Sequence, residues 1–508
     1  MLPIAQIALI ALSGVSIVKA GPIWEQTQKL YATDEEEHND FGFSVAMSGN
    51  TAVIGAPFDE DNGPRSGSAY VFDVTTGLQL FQLLPDDGEA FDNFGYSISV
   101  SGNTAVIGAP FDDDNGPRSG SAYVFDVTTG LQLFHLLPDD GEAYDNFGYS
   151  ISVSGNTAVI GATLADGNGV NSGSAYIFDI TTGLQLFKLV ATDGAKGDRF
   201  GWSVAANGNT AVVGAQLSDG DISKSGSAYV FDVTTGLQLF KLVANDGAVN
   251  DEFGRSVAVC ENLAVIGADL DDDSGNNSGS AYVFDVTTGK QLFKLLPQDG
   301  VAEAWFGYSV ALSGNTAVIG ARRDDDNGFR SGSVYVFDIS TGRQLSKLLA
   351  KDGDTFDNFG WSVAMSGNTA VIGASRDDDF GPDSGSAYVF QQFDCINLAV
   401  NNLVAGQNAV FTITGGTPGT RAVTVYGTKA GQTIINNISN YCAIFGINGI
   451  TQSKVLGGLN QVFDANGQIS FNQPIPQGSA GTSVFFQSAM QGTCPNECTS
   501  SLVNMTIQ

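Results

Sequence analysis

The chain has 508 residues, of which 43% are hydrophobic, 64 are glycine and 33 are phenylalanine; this is the composition of a folded β protein, longer than one ordinary domain. A formal net charge of -32 argues against nucleic acid as a partner, because phosphates require a basic surface, and against simple adsorption to anionic lipid. Cations, or surfaces bridged by cations, are its natural partners.

Residues 1–20 read as a signal peptide. Leu2 to Val18 is apolar and ends in Val18-Lys19-Ala20, a small-residue cleavage pattern that would leave Gly21 first in a secreted or cell-surface protein. The run lacks a basic start, so an uncleaved anchor is the alternative; no later segment is long and apolar enough to span a bilayer.

From there the sequence repeats with a step of 53 residues, placing a Phe-Gly pair at Phe41, Phe94, Phe147, Phe200, Phe253, Phe306 and Phe359. Alternation and turn residues predict four strands per unit: Phe94 to Val100, Thr104 to Ala109, Ser121 to Val127 and Leu131 to Leu137. Four antiparallel strands make one propeller blade. Large residues (Tyr96, Ile98, Val100, Tyr123, Phe125) alternate with small ones (Ser97, Ser99, Ala122), as nesting of blade on blade requires. Gly95, Gly108 and Gly120 recur in every unit and predict close backbone approach rather than ligand binding. The seventh unit lacks its fourth strand, and Trp24 to Tyr31, one repeat before Leu78 to Leu84, is expected to supply it and remove an open sheet edge.

After Phe393 the repeat stops. Short strands at Ala409 to Thr414, Arg421 to Tyr426, Gln468 to Phe471 and Thr482 to Ser488 suggest a small Ig-like β-sandwich over 394–508. Cys395, Cys442, Cys494 and Cys498 all fall there and suit two disulfides in an oxidising compartment; reading Cys494 and Cys498 as half a metal site would need soft ligands nearby, and no histidine lies in that region. Cys260 stands alone at a strand end. The expected architecture is all-β: a seven-bladed propeller over 21–393, closed by an N-terminal strand, then the sandwich.

The spacing from Phe41-Gly42 to Gly55-Ala56-Pro57, followed by Gly67-Ser68-Ala69-Tyr70-Val71-Phe72, resembles the FG-GAP repeat, which builds the seven-bladed propeller of integrin α-subunit heads and of many secreted bacterial proteins. The resemblance covers about 33–393. It implies extracellular recognition or adhesion, commonly calcium-dependent, with a protein or glycan ligand. One departure matters: the integrin-type calcium loop joins the first two strands, where this chain has only Ser48-Gly49-Asn50 or Ser101-Gly102-Asn103. A turn without a carboxylate cannot supply the six to eight oxygens calcium takes, so those positions do not carry over. A lesser resemblance is to quinoprotein propellers, through Asp126-Val127-Thr128-Thr129-Gly130 with Phe134 where that family has Trp. Seven units fall below the eight typical of quinoproteins, and a hairpin turn is the simpler reading.

Acidic residues concentrate in two loops that open on one face. Asp34, Asp87, Asp140, Asp193, Asp246, Asp299 and Asp352 occupy one repeat position, and Glu60, Asp113, Asp166, Asp219, Asp272, Asp325 and Asp378 another. The residues flanking the second set, Asp59 and Asp61, Asp112 and Asp114, Asp271 and Asp273, Asp324 and Asp326, and Asp377 and Asp379, offer hard oxygen ligands on glycine-containing loops. Two readings stay open: calcium sites, or a solvated acidic rim that maintains solubility. Catalysis has little support, since His38 and His135 are the only histidines and no nucleophile–base set is visible. Trp305, Arg199 and Arg322-Arg323 are the positions where one blade departs in chemistry from its neighbours. The chain therefore reads as a non-enzymatic binding or adhesion propeller, with a carboxylate-based hydrolase or lyase acting on polysaccharide and a purely structural surface repeat as the alternatives.

Overall fold

A computed structural model describes residues 23–34, 37–219 and 222–393 and, as backbone, nine strands between 397 and 506. Gln26–Gln391 form one compact unit, and the C-terminal strands belong to a second. The first unit is a seven-bladed β-propeller of four-stranded antiparallel sheets. Blade 2 shows the pattern: Ser97–Ser101, Thr104–Ala109, Ser121–Asp126 and Leu131–Leu136, paired in sequence order from the axis outward. First strands touch around the whole ring, including Ser44–Ser48 of blade 1 against Ser362–Ser366 of blade 7.

Side-chain alternation drives the stacking. Ala69, Val71 and Leu83 of blade 1 share one buried cluster with Phe94, Ile107, Tyr123 and Phe125 of blade 2. Phe94 meets Tyr123 at 5.7 Å and Phe125 at 5.7 Å, both edge-on, the geometry the ring quadrupoles favour. Each such aromatic, withdrawn from water, contributes roughly 1.5–3 kcal/mol.

The Phe-Gly-x-Ser motif also joins each blade to the next. Ser97 Oγ donates to the Gly148 carbonyl at 2.6 Å, and the bond recurs around the ring until Ser362 donates to Gly42 at 2.7 Å and returns blade 7 to blade 1. Gly108 sits against the same carbonyl: a Cβ there would lie 2.1 Å from the Gly148 oxygen. The glycine expectation thus holds for a stated reason. The first strand starts later than expected, at Ser97 rather than Phe94, because Asn93 (φ 57) and Gly95 (φ 88) make a left-handed turn in which the Tyr96 amide donates to Asn93 O. Blades 3 and 6 have the same turn, but there the phenylalanine also pairs, with Ala162 and Ala321, so the strands run Phe147–Ser154 and Phe306–Ser313 with the turn as an irregularity in their pairing.

The sheet of blade 7 contains Ile23–Leu30 beside Ser386–Phe393, then Thr369–Ala374 and Ser362–Ser366. Thr27 Oγ1 donates to Val389 O at 3.3 Å. At the opposite end of the blades from the acidic loops, Asp126 opens a hairpin: its Oδ1 accepts from the Thr128 amide at 2.8 Å, and its carbonyl accepts from Gly130 at 2.8 Å. Phe81 of the preceding blade lies against Gly130, where a Cβ would come 2.9 Å from its ring. The Asp-x-x-Thr-Gly motif is therefore a turn onto which the neighbouring blade's phenylalanine packs.

In the second unit, Asn397–Asn401, Asn408–Thr414 and Gln468–Pro474 form one sheet, and Val455–Val462, Arg421–Gly427, Ser483–Met490 and Val503–Thr506 another. Residues 1–20, expected to be a signal peptide, and Cys395, Cys442, Cys494 and Cys498, expected to form disulfides, lie outside the described residues. Cys260 is a free thiol at the end of Ser256–Cys260. Among the described residues, no helix is long and apolar enough to cross a membrane.

Candidate functional site

The loops that leave each fourth strand and each second strand bring their acids together over the third strand of the blade. In blade 6, Lys347 Nζ lies 2.8 Å from Asp299 and 3.2 Å from Asp324, and it also pairs with Asp326. Blade 5 repeats this with Lys294 at 2.8 Å from Asp246, 3.0 Å from Asp271 and 2.5 Å from Asp273. In blade 7, Lys29 reaches Asp352 and Asp377, both at 2.9 Å, and Asp379. Burial alone would pull the Lys29 ammonium down, yet its bonds to Asp352 and Asp379 and the charge of Asp377 hold it above its ordinary range. An ammonium of the chain itself occupies the place among three carboxylates that a bound cation would take.

The remaining blades depart in two ways. Blades 3 and 4 keep the lysine but carry Ala165 and Ser218 where the first loop aspartate stands, leaving Lys188–Asp140 at 2.6 Å and Lys241–Asp193 at 2.5 Å. Blades 1 and 2 keep the three aspartates but lose the lysine, to Gln82 and His135. Lysine and aspartates thus vary independently, and only blades 1 and 2 hold an acidic triad without a permanent ammonium.

In blade 2 the imidazole of His135 stacks on Tyr123 at 4.5 Å and stands 3.4 Å from Asp87 and 3.2 Å from Asp114. Its ring stands between the two carboxylates, in the place the lysine side chain takes elsewhere. In blade 1 no such substitute exists. Asp34, Asp59 and Asp61 each place a carboxylate oxygen within 4.8 Å of the others. Asp59 is buried; its Oδ2 accepts from Tyr70 Oη at 2.6 Å and its Oδ1 from the Asp61 amide at 3.0 Å. Burial pushes its carboxyl up to about 6, the Tyr70 bond works against that, and the charges of Asp61 and Asp34 add to it. The Gln82 amide reaches Asp34 at 3.3 Å and also bonds Asp61; turned over, its oxygen joins an all-oxygen donor set.

The middle acids serve the loops. Asp113 Oδ1 accepts from the Arg118 amide at 2.6 Å and Asp325 Oδ1 from Arg330 at 2.6 Å, each holding a residue at positive φ. Sequence reasoning missed a further set: the buried Asp92, whose Oδ2 accepts from the Glu89 amide at 2.6 Å, and its equivalents, such as Asp145 and Asp357. Their signal was present in the repeat as an aspartate shared by five units, Asp92, Asp145, Asp198, Asp251 and Asp357, with Asn39 and Ala304 at the same position in the other two.

Seven stretches, 24–72, 79–125, 132–178, 184–231, 237–284, 290–337 and 343–390, match the FG-GAP repeat. The chain belongs to the FG-GAP repeat family. Each FG-GAP match opens on a fourth strand and ends on the next unit's third, so the repeat frame straddles two blades and the first match begins in the strand of blade 7. No curated protein matches the chain. The family and the seven blades are those of a surface or binding repeat protein.

Beside the blade 1 triad, at the seam with blade 7, lies an open pocket of about 760 Å³ lined by Glu37, His38, Asp40, Phe58, Glu60, Arg65, Arg376 and Asp383. Burial, then the charge of Asp383, pushes the Asp40 carboxyl up to about 7, against the pull of Arg376 and Arg65.

Proposed function

We propose that this FG-GAP propeller is a secreted or cell-surface adhesion module that binds an extracellular protein or glycan through its acidic loop face, with one calcium ion held in blade 1 by Asp34, Asp59, Asp61 and Gln82. The observation that supports the calcium assignment is the lysine pattern: in blades 5, 6 and 7 the equivalent carboxylates are already bridged by the ammonium groups of Lys294, Lys347 and Lys29, whereas blade 1 offers only oxygens. The adjoining pocket, with carboxylates and two guanidinium groups, supplies the ligand-contacting surface. Ile23–Leu30 acts as the latch that closes the ring, and the C-terminal strands form an Ig-like sandwich stapled by disulfides. Heating chelator-treated protein with and without millimolar calcium tests the cation; a raised Tm is expected, and an unchanged one counts against it.

A second reading has one observation in its favour. Asp40, whose carboxyl burial pushes up to about 7 in an open pocket, has the property of a general acid for glycan cleavage. Release of reducing or unsaturated ends from a polysaccharide would favour that reading over adhesion.

A further inference from the structure

Around the axis, the residue after each Phe-Gly pair forms a continuous ring at the loop end of the propeller. Phe43, Tyr96, Tyr149 and Trp202 follow one another at centroid distances of 4.9, 5.0 and 4.7 Å. Arg255 takes the fifth place, 5.0 Å from Trp202 and 4.6 Å from Tyr308. Tyr308 and Trp361, 5.5 Å apart, and Trp361 with Phe43, at 5.3 Å, complete the ring.

The near-identity of the blades breaks down beside Arg255. At the position before each Phe-Gly pair every unit has positive φ; three carry Asn and one Asp40, which tolerate it, but blades 4, 5 and 6 carry Arg199, Glu252 and Trp305. Such side chains are kept there against backbone preference. Arg322 follows the second strand of blade 6. Its guanidinium lies 4.2 Å from the Tyr308 centroid, 4.4 Å from Trp361 and 4.5 Å from Trp305, and Arg323 lies 3.4 Å from Trp305 on that same indole.

These two guanidinium groups are not neutralised. Among the described residues, no carboxylate lies within 4.0 Å of either. Glu303 is engaged by Asn276 and Asn277, and the buried Asp269 faces Arg255 at 3.8 Å. Arg322 Nε, Arg323 Nε and the Trp305 indole N–H are buried donors without a hydrogen-bond partner, while Asp269 Oδ1 is a buried acceptor without one. Buried polar groups of native proteins find partners. Three donors on a doubly positive base ask for an oxyanion, and a nearby acceptor asks for a hydroxyl.

We propose that the axial mouth, through Arg322 and Arg323 mounted on Trp305, binds the carboxylate of a terminal uronic-acid sugar whose hydroxyls reach Asp269. Paired guanidinium forks match a carboxylate, and the aromatic ring around the axis suits the apolar faces of a sugar. The acidic rim repels an extended polyanion, so the ligand enters end-on by one residue. This site stands apart from the blade 1 triad and does not depend on calcium.

Calorimetry on the full chain with methyl glucuronide, methyl glucoside, sodium sulfate and a hexaglutamate peptide tests the proposal. Expected are binding of the glucuronide alone, a raised Tm with it, a loss of about tenfold or more in affinity in Arg323→Gln, and no change in Arg118→Gln, on the loop of blade 2. Arg322→Gln should behave as Arg323→Gln; should it fail to fold, the more exposed Arg323 carries the result. The proposal is overturned by absence of glucuronide binding, by sulfate or the peptide binding as tightly, or by an unaltered affinity in Arg323→Gln.

Discussion

At the scale of single residues, one lysine position decides what each acidic triad is. Lys347→Gln recreates the blade 1 arrangement in blade 6. Without calcium it should cost about 1–2 kcal/mol, because Asp324 is buried while its partners are half exposed, and it should confer a second calcium-dependent rise in Tm; urea unfolding and thermal melting check both. Glycines separate in the same way. Gly108→Ala would force a Cβ to 2.1 Å from a backbone oxygen of the next blade and should cost about 3 kcal/mol or more. Gly102→Ala, at φ +58 with nothing within 4 Å, should cost only about 1–2 kcal/mol. Equal losses in urea unfolding would contradict the inter-blade role of Gly108. For pH, Asp59 is raised to about 6 and Asp40, Asp92 and Asp357 to about 7, in each case first by burial. A raised carboxyl binds its proton more tightly folded than unfolded, so its contribution is fully present below the ordinary value near 4 and is lost as pH rises through 6 to 7. Asp126, held low by the Thr128 hydroxyl and amide, has the opposite sign and loses its contribution only as pH falls below about 4. Calorimetric scans of calcium-free protein should therefore show Tm highest near pH 5 and falling towards pH 7.5; a Tm that rises over that interval would contradict the assignment.

At the scale of strands and blades, the sequence period already carried most of the architecture. Phe-Gly, Ser-Gly-Asn and Thr-Thr-Gly each mark a place where the chain turns or touches the next blade, and such contacts demand particular residues. The start of the first strand was misplaced because the left-handed turn at Asn93 and Gly95 looks like alternation when read as letters. Acidic loops were legible as loops, but their partners were not: Lys294 and Asp273 are distant in sequence and meet only because the fourth strand of one blade lies beside its second-to-third loop. Arg322, Arg323 and Trp305 stood out as departures, yet nothing in their spacing says that they share one indole. Deleting Ile23–Leu30 should expose the edge of Ser386–Phe393 and yield aggregates or paired chains, seen as added mass in light scattering; a soluble monomer of unchanged Tm would contradict the latch.

At the scale of the molecule, a charge of -32 sits largely on one face, partly cancelled where lysines reach into it. Self-repulsion of this kind is screened by salt, whereas a single coordinated ion acts at one place and in fixed proportion. The account therefore rests on number and position. Calorimetric titration of chelator-treated protein with calcium at physiological salt should show one ion bound per chain, abolished by Gln82→Lys and untouched by Lys188→Gln, whose blade lacks the loop aspartate. No heat of binding, or several equivalent ions that survive Gln82→Lys, would contradict it.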